Sequence, residues 1–210
     1  MRRRREDGFT LVEALVVMMI FGVVFAIIMG VLIQVSYSAA DNMARTSQVQ
    51  NAQLGLMQID RQVRSGNVIL DPASETAINS GVEPGYSLRV FTQTDGVHQC
   101  VQWRVRLTAD DPGVLEYRSW DPEWSTLDIG VMDWAVVARD LVADTEGKVP
   151  FQRTPISGDA SSAETSSVEV SIFIQAERTR SAATAVTTTL TGRNTVYGYP
   201  IDRCDDVPAP

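Results

Sequence analysis

Glu13 is a carboxylate set inside an otherwise apolar stretch, GFTLVEALVVMMIFGVVFAIIMGVLI, that runs from Gly8 to Ile33. An ionised acid deep in a membrane helix costs about 2.5 to 3.5 kcal/mol even on lenient insertion scales, so it normally has a partner and a task. Near the head of a helix the N-terminal end of the helix dipole also welcomes it. Other groups are weaker candidates for chemistry. His98 is the only histidine and offers no base for a Ser-His-Asp arrangement with a defined partner. Asp110 and Asp111, or Asp202, Asp205 and Asp206, have the oxygen ligands calcium prefers, but they lack a calcium-loop pattern, which favours turn and solvated-tail readings. Arg89, Arg104, Arg106 and Arg118 would fall on the outward face of three neighbouring strands, where a basic stripe could meet a DNA backbone or pair with carboxylates such as Glu116. Trp120 and Trp124 flank Asp121-Pro122-Glu123 and read either as a partner-contact surface or as caps on the core. No pattern requires a cofactor or a metal, and no enzyme activity is expected.

The element that must position Glu13 is a helix. From Ala14 to Ile33 there are twenty consecutive apolar residues, about 30 Å of helix at 1.5 Å per residue, which matches the hydrocarbon core of a bilayer. Arg2, Arg3, Arg4 and Arg5 precede it with no cluster of comparable density just beyond its far end. The positive-inside rule then puts the N-terminus in the cytoplasm and everything after Ser36 on the exported side. There the two cysteines, Cys100 and Cys204, are expected to form one disulfide rather than a zinc site, since the spacing is wide and no histidines stand near. The chain of 210 residues has room for one exported domain with a real core. Its formal net charge of −8, or −10 once Met1 to Gly8 are removed with their net +2, argues against general nucleic-acid binding.

Gly8-Phe9-Thr10-Leu11-Val12-Glu13, behind a short basic leader and ahead of twenty apolar residues, closely resembles the class III signal of type IV prepilins and pseudopilins. The resemblance implies that a membrane-embedded prepilin peptidase cuts after Gly8 and methylates the new N-terminus at Phe9, with Glu13 as the fifth mature residue. The physical logic is direct. Cleavage creates an ammonium group at Phe9, one helical turn from Glu13, where the two charges offset each other. In a filament of packed apolar helices the carboxylate can instead take the amine of a neighbouring subunit, and that pairing fixes axial register. Glu13 is then an assembly determinant. LMQIDRQVRSG at 56–66 and TLTGRN at 189–194 look like the J-type minor pseudopilin of type II secretion and the W-type minor pilin. The subunit at the extreme tip of such filaments usually lacks the fifth-position acid, so the presence of Glu13 argues against that place.

The rest of the chain reads as a domain hung on this helix. Val49, Ala52, Leu56, Ile59 and Val63 recur at spacings of 3, 4, 3 and 4, one apolar stripe, with Asp60 and Arg64 as an i, i+4 pair and Ser65-Gly66-Asn67 as the stop. Residues 71–85 are expected to be a loop. Strands are expected over 86–94 and 97–107 around an Asp95-Gly96 turn, then over 114–120, loosely over 131–137, over 168–177 and over 185–191. In the second of these, Val101, Trp103, Val105 and Leu107 should pack while Cys100, Gln102, Arg104 and Arg106 face water. The expected organisation is a leader at 1–8, a transmembrane and assembly helix at 9–35, its amphipathic continuation at 36–66, and an exported β-rich domain at 67–210. This is an α+β pilin fold, a long helix laid on an antiparallel sheet.

Two other functions fit parts of the pattern. Ser38-Ala39-Ala40 suits a signal-peptide cut that would release a secreted binding domain or enzyme, although the apolar run exceeds an ordinary signal core and leaves Glu13 unexplained. A plain single-pass anchor would keep its leader. The expected partners are prepilin peptidase, other pilins through the N-terminal helix, and the membrane.

Overall fold

The computed structural model describes residues 10–94, 96–108, 112–154, 167–175, 183–193 and 195–210. They divide into two compact units, residues 1–44 and 45–210. One helix, α1, runs Leu11–Ser65. Over its first thirty residues the side chains are exposed, Leu11, Ile20 and Ile28 among them. That stretch is long and apolar enough to cross a membrane. Within it the Ser36 hydroxyl donates to the Leu32 carbonyl at 2.8 Å, one turn back along the helix.

In the second unit the stripe expected on α1 is real. Ala52, Leu56, Ile59 and Val63 are buried, with Gly55 beside them; Val49, at the upstream end, is half-buried. Ile59 and Val63 are wholly excluded from water, each worth about 1.5 to 3 kcal/mol of burial. Asp60 and Arg64 form their ion pair at 2.7 Å on the wet side. The helix lies against an antiparallel sheet of eight strands: β1 (Gly66–Ile69), β2 (Ser87–Thr94), β3 (Val97–Arg106), β4 (Gly113–Trp120), β5 (Ala135–Leu141), β6 (Phe151–Thr154), β7 (Ser167–Ile174) and β8 (Thr184–Thr191). The order is β1-β2-β3-β4-β5-β7-β6, with β8 also on β7. β8 follows the whole of β7, while β6 takes the opposite edge of its first half. β2 and β3 meet where expected, Thr94 facing Val97 and Gly96 at a φ of +82°.

The face toward the helix is apolar. Leu88 and Val90 of β2, Val101, Trp103 and Val105 of β3, and Leu115 of β4 meet the stripe, and Val168, Val170, Ile172 and Ile174 of β7 extend the same core. At Gly55 the layers approach closely, since a Cβ there would sit 2.9 Å from Leu115 Cδ2. The architecture is the α+β class expected, a long N-terminal helix packed on an antiparallel sheet.

Three expectations need correction. The loose strand placed over 131–137 lies at Ala135–Leu141, because ladder partners begin only where Ala135 meets Tyr117. The loop at 71–85 contains a 3-10 turn, Pro72–Ser74, and a single helical turn, α2 (Ala77–Ser80). The face of β2, β3 and β4 expected to be wet is buried: Gln102 is 0 %, Arg118 2 %, Arg89 5 % and Arg104 8 % exposed. The segment 71–81 and the C-terminal segment 201–210 cover it, as the hydrogen bonds below show. Alternating polar and apolar residues identify a two-sided strand but carry no sign of a polar cover.

Candidate functional site

At the head of α1 the local sequence dictates a cap. Thr10 precedes the helix, and its Oγ1 accepts a hydrogen bond from the Glu13 amide at 3.3 Å, while the Ala14 amide donates to the Thr10 carbonyl at 3.2 Å. With Glu13 third in the helix, Thr10-x-x-Glu13 has the spacing of a capping box. The Glu13 residue is exposed. Its carboxylate therefore stands in the first turn, where the helix dipole stabilises negative charge, and faces outward to whatever surrounds the helix. Gly8 and Phe9 lie outside the described residues.

The second constellation is the covered face of the sheet. Arg89 donates from Nε to Glu75 Oε1 at 3.0 Å, pairs with the same oxygen through Nη2 at 2.8 Å, and donates from Nη1 to the Cys204 carbonyl. Gln102 donates to both Glu75 Oε2 at 3.3 Å and Ser87 Oγ at 3.0 Å, and its Oε1 accepts from Arg118 Nη2 at 2.7 Å. Arg118 also reaches the carbonyls of Asn79, Pro208 and Ala209 at 3.1, 2.9 and 2.7 Å. Arg104 donates to Glu116 Oε2 at 2.7 Å and to the Ser80 carbonyl at 2.8 Å, and Arg106 takes Glu116 Oε1 at 3.1 Å. The guanidinium carbons of Arg104 and Arg118 lie 3.7 and 4.3 Å from the centre of the Trp134 ring.

Arg104, Arg106 and Arg118 were the candidates for a DNA-binding stripe, with Arg89. Burial and saturation with internal partners remove that role; Arg106 alone keeps a half-exposed side chain. Burial pushes the Glu75 carboxyl above its ordinary range, and Arg89 and Gln102 offset this only in part. Burial acts the same way on Glu116, but hydrogen bonds and charge from Arg106 and Arg104 outweigh it and hold that carboxyl below the ordinary value. Arg118 is brought down to about 10, by burial first and by the Arg104 charge second.

Cys100 and Cys204 form a disulfide, Cα to Cα 5.7 Å, wrapped by Leu70, Phe91 and Trp120. It fastens the C-terminal segment to β3. The half-buried Trp124 adds to the same cluster and donates from Nε1 to the Asp206 carbonyl at 3.0 Å, so both tryptophans cap a small second core. His98 is exposed, with its ring 5.3 Å from that of Phe91 and 6.3 Å from that of Tyr199. Among the described residues no group of three His, Cys, Asp or Glu side chains could hold a metal ion, and Asp110 and Asp111 lie outside them. Glu75 and Trp134 were not anticipated, and Gln102 was expected to face water. The only sequence signal for them is the run of arginines on alternate strand positions, which needs carboxylates from somewhere.

Residues 3–29 match the family model of the prokaryotic N-terminal methylation motif. The motif carries the class III prepilin signal of a type IV pilin-like protein and marks a pilin-type structural subunit, a substrate of prepilin peptidase rather than an enzyme. No curated protein and no solved structure matches the chain.

Proposed function

We propose that this chain is a minor pilin or pseudopilin, a structural subunit cut between Gly8 and Phe9, methylated at Phe9, and assembled with relatives into a type IV pilus or a type II secretion-like filament. The observation that carries the reading is Glu13 in the first turn of an apolar helix, inside the methylation motif and one turn from the residue that becomes the new terminus. The described contacts of Glu13 are the Thr10 cap, so its carboxylate is available to the Phe9 ammonium or to that of a neighbouring subunit. In this reading residues 9–35 are the membrane and assembly segment, the N-terminus starts in the cytoplasm, and the domain from residue 67 onward is exported. LMQIDRQVRSG and TLTGRN favour the J-type or W-type minor class.

The test is the mature N-terminus and the filament content in the native host. Mass spectrometry should find N-methyl-Phe9. Glu13→Ala should be cleaved normally but recovered in sheared filaments at a tenth or less of the wild-type amount. An intact leader would establish a plain anchor, a terminus at Asp41 would establish a secreted domain, and undiminished incorporation of Glu13→Ala would remove the assembly role.

A further inference from the structure

The connection between β4 and β5, Asp121–Trp134, packs Trp124 and Val131 on the second core and turns three other apolar side chains outward. Leu127 is 56 %, Ile129 40 % and Met132 42 % exposed. The loop is firmly held all the same. Asp121 Oδ1 accepts from the Glu123 amide at 2.8 Å, the Ile129 amide donates to the Trp124 carbonyl at 3.0 Å, and the Met132 amide donates to the Ser119 carbonyl at 3.2 Å. Trp124 Nε1 and Ser125 Oγ both bond to Asp206. Asp128 occupies the left-handed region at a φ of +53° to close α3 (Trp124–Leu127). A loop pinned at this many points presents a fixed surface, so binding to it would cost little ordering entropy.

Charge identifies what fits there. Residues 121–134 contain four acids and no base, and residues 201–210, bonded to them through Asp206, add three acids and one arginine. The loop that carries the three exposed apolar side chains therefore has a net charge of −4, and the segment bonded to it through Asp206 a further −2. Such a rim repels a second copy of the chain, an anionic bilayer and nucleic acid alike, and attracts a cationic surface. We propose that the Asp121–Trp134 loop is a docking surface for a basic, apolar segment of a partner protein, whose aliphatic side chains cover Leu127, Ile129 and Met132 while its Arg or Lys side chains meet Glu123, Asp128 and Asp133. This goes beyond the filament reading, which concerns the N-terminal helix.

The test uses the full chain in nanodiscs of zwitterionic lipid, titrated by fluorescence anisotropy with a labelled amphipathic Leu/Arg peptide of about 14 residues, one apolar face long, and with its Leu/Glu twin. The Leu/Arg peptide should bind and the twin should not. Glu123→Gln with Asp128→Asn and Asp133→Asn should weaken binding at least about tenfold, as should Leu127→Ser with Met132→Ser, and added salt should weaken it further. A control that removes the same charge elsewhere, Asp41→Asn with Glu83→Gln and Glu146→Gln, should bind as wild type. The proposal is overturned if the Leu/Arg peptide does not bind, if the control loses as much as the loop variant, if the twin binds equally, or if a labelled second copy of the chain binds through the loop. Unchanged melting of each variant verifies that the fold is intact.

Discussion

Replacing both cysteines, Cys100→Ala with Cys204→Ala, separates two ways in which the C-terminal segment is held. The disulfide closes a loop of 104 residues. In the chain-entropy treatment that linkage removes about 16 cal/mol/K from the unfolded ensemble, or roughly 4.7 kcal/mol at 25 °C. The contributions acting in the folded state are different in kind: Arg89 to the Cys204 carbonyl, Arg118 to the carbonyls of Pro208 and Ala209, and Trp124 to that of Asp206. These survive the substitution. The variant should therefore melt lower by about 10 to 15 °C, given an unfolding entropy of roughly 0.35 kcal/mol/K for the unit spanning residues 45–210. Its folded state should still protect the backbone amides of residues 201–206. Tryptophan fluorescence of the full chain in mild detergent measures the first quantity, and hydrogen exchange resolved by mass spectrometry measures the second. A melting shift under about 3 °C would refute the entropic argument. Free exchange of the C-terminal amides at temperatures where the rest stays protected would refute the claim that the arginines hold the segment by themselves.

Three further outcomes follow from the covered face and the sheet. Glu75→Ala removes both oxygens that accept from Arg89 and Gln102 and should destabilise the fold by about 3 to 5 kcal/mol in urea titration, because buried donors on both side chains lose their acceptor. Glu116 has a folded value below its unfolded 4.5, so its contribution is present above pH 4.5 and is lost as pH falls through the folded value. Glu75 has the opposite sign: its raised value favours the folded state when protonated, and that advantage disappears as pH rises from 4.5 through the folded value. Unfolding free energies between about pH 3 and pH 6 should accordingly fall less steeply toward acid in Glu116→Gln than in the wild type. Gly113→Ala should cost about 1 to 3 kcal/mol, measured by thermal unfolding, because its Cβ would lie 2.5 Å from the Leu141 carbonyl oxygen across the β4–β5 ladder.

The helix-facing half of the fold was readable in advance because it rests on period. The 3-4 stripe from Ala52 to Val63, the alternation of Val101, Trp103 and Val105, and the run from Val168 to Ile174 each record burial of apolar side chains against one neighbour. The disulfide was readable from compartment and count. The polar half was not, and the reason is specific. Arg104 and Arg106 on alternate positions of β3 look the same whether they meet water or a cover, and the cover is made largely of main-chain carbonyls at Asn79, Ser80, Cys204, Pro208 and Ala209. A carbonyl has no side-chain signature. β6 escaped notice because four residues with a single aromatic, Phe151, carry too little pattern. At the head of α1, Glu13 was legible as part of a motif, whereas its Thr10 cap was found only in the structure.

The arginine-lined face of β2, β3 and β4 has one more property, which concerns the order in which the chain is made. Residues 201–210 follow every strand, so during synthesis the sheet can be assembled while half of its lid is missing. An apolar surface left open for that interval would be adhesive and prone to aggregation. Guanidinium groups, Gln102 and Ser87 can instead hydrogen-bond to water until residues 201–210 arrive, where the arginines meet the carbonyls of Cys204, Pro208 and Ala209. The unfinished molecule stays hydrated on the side that waits longest for its cover.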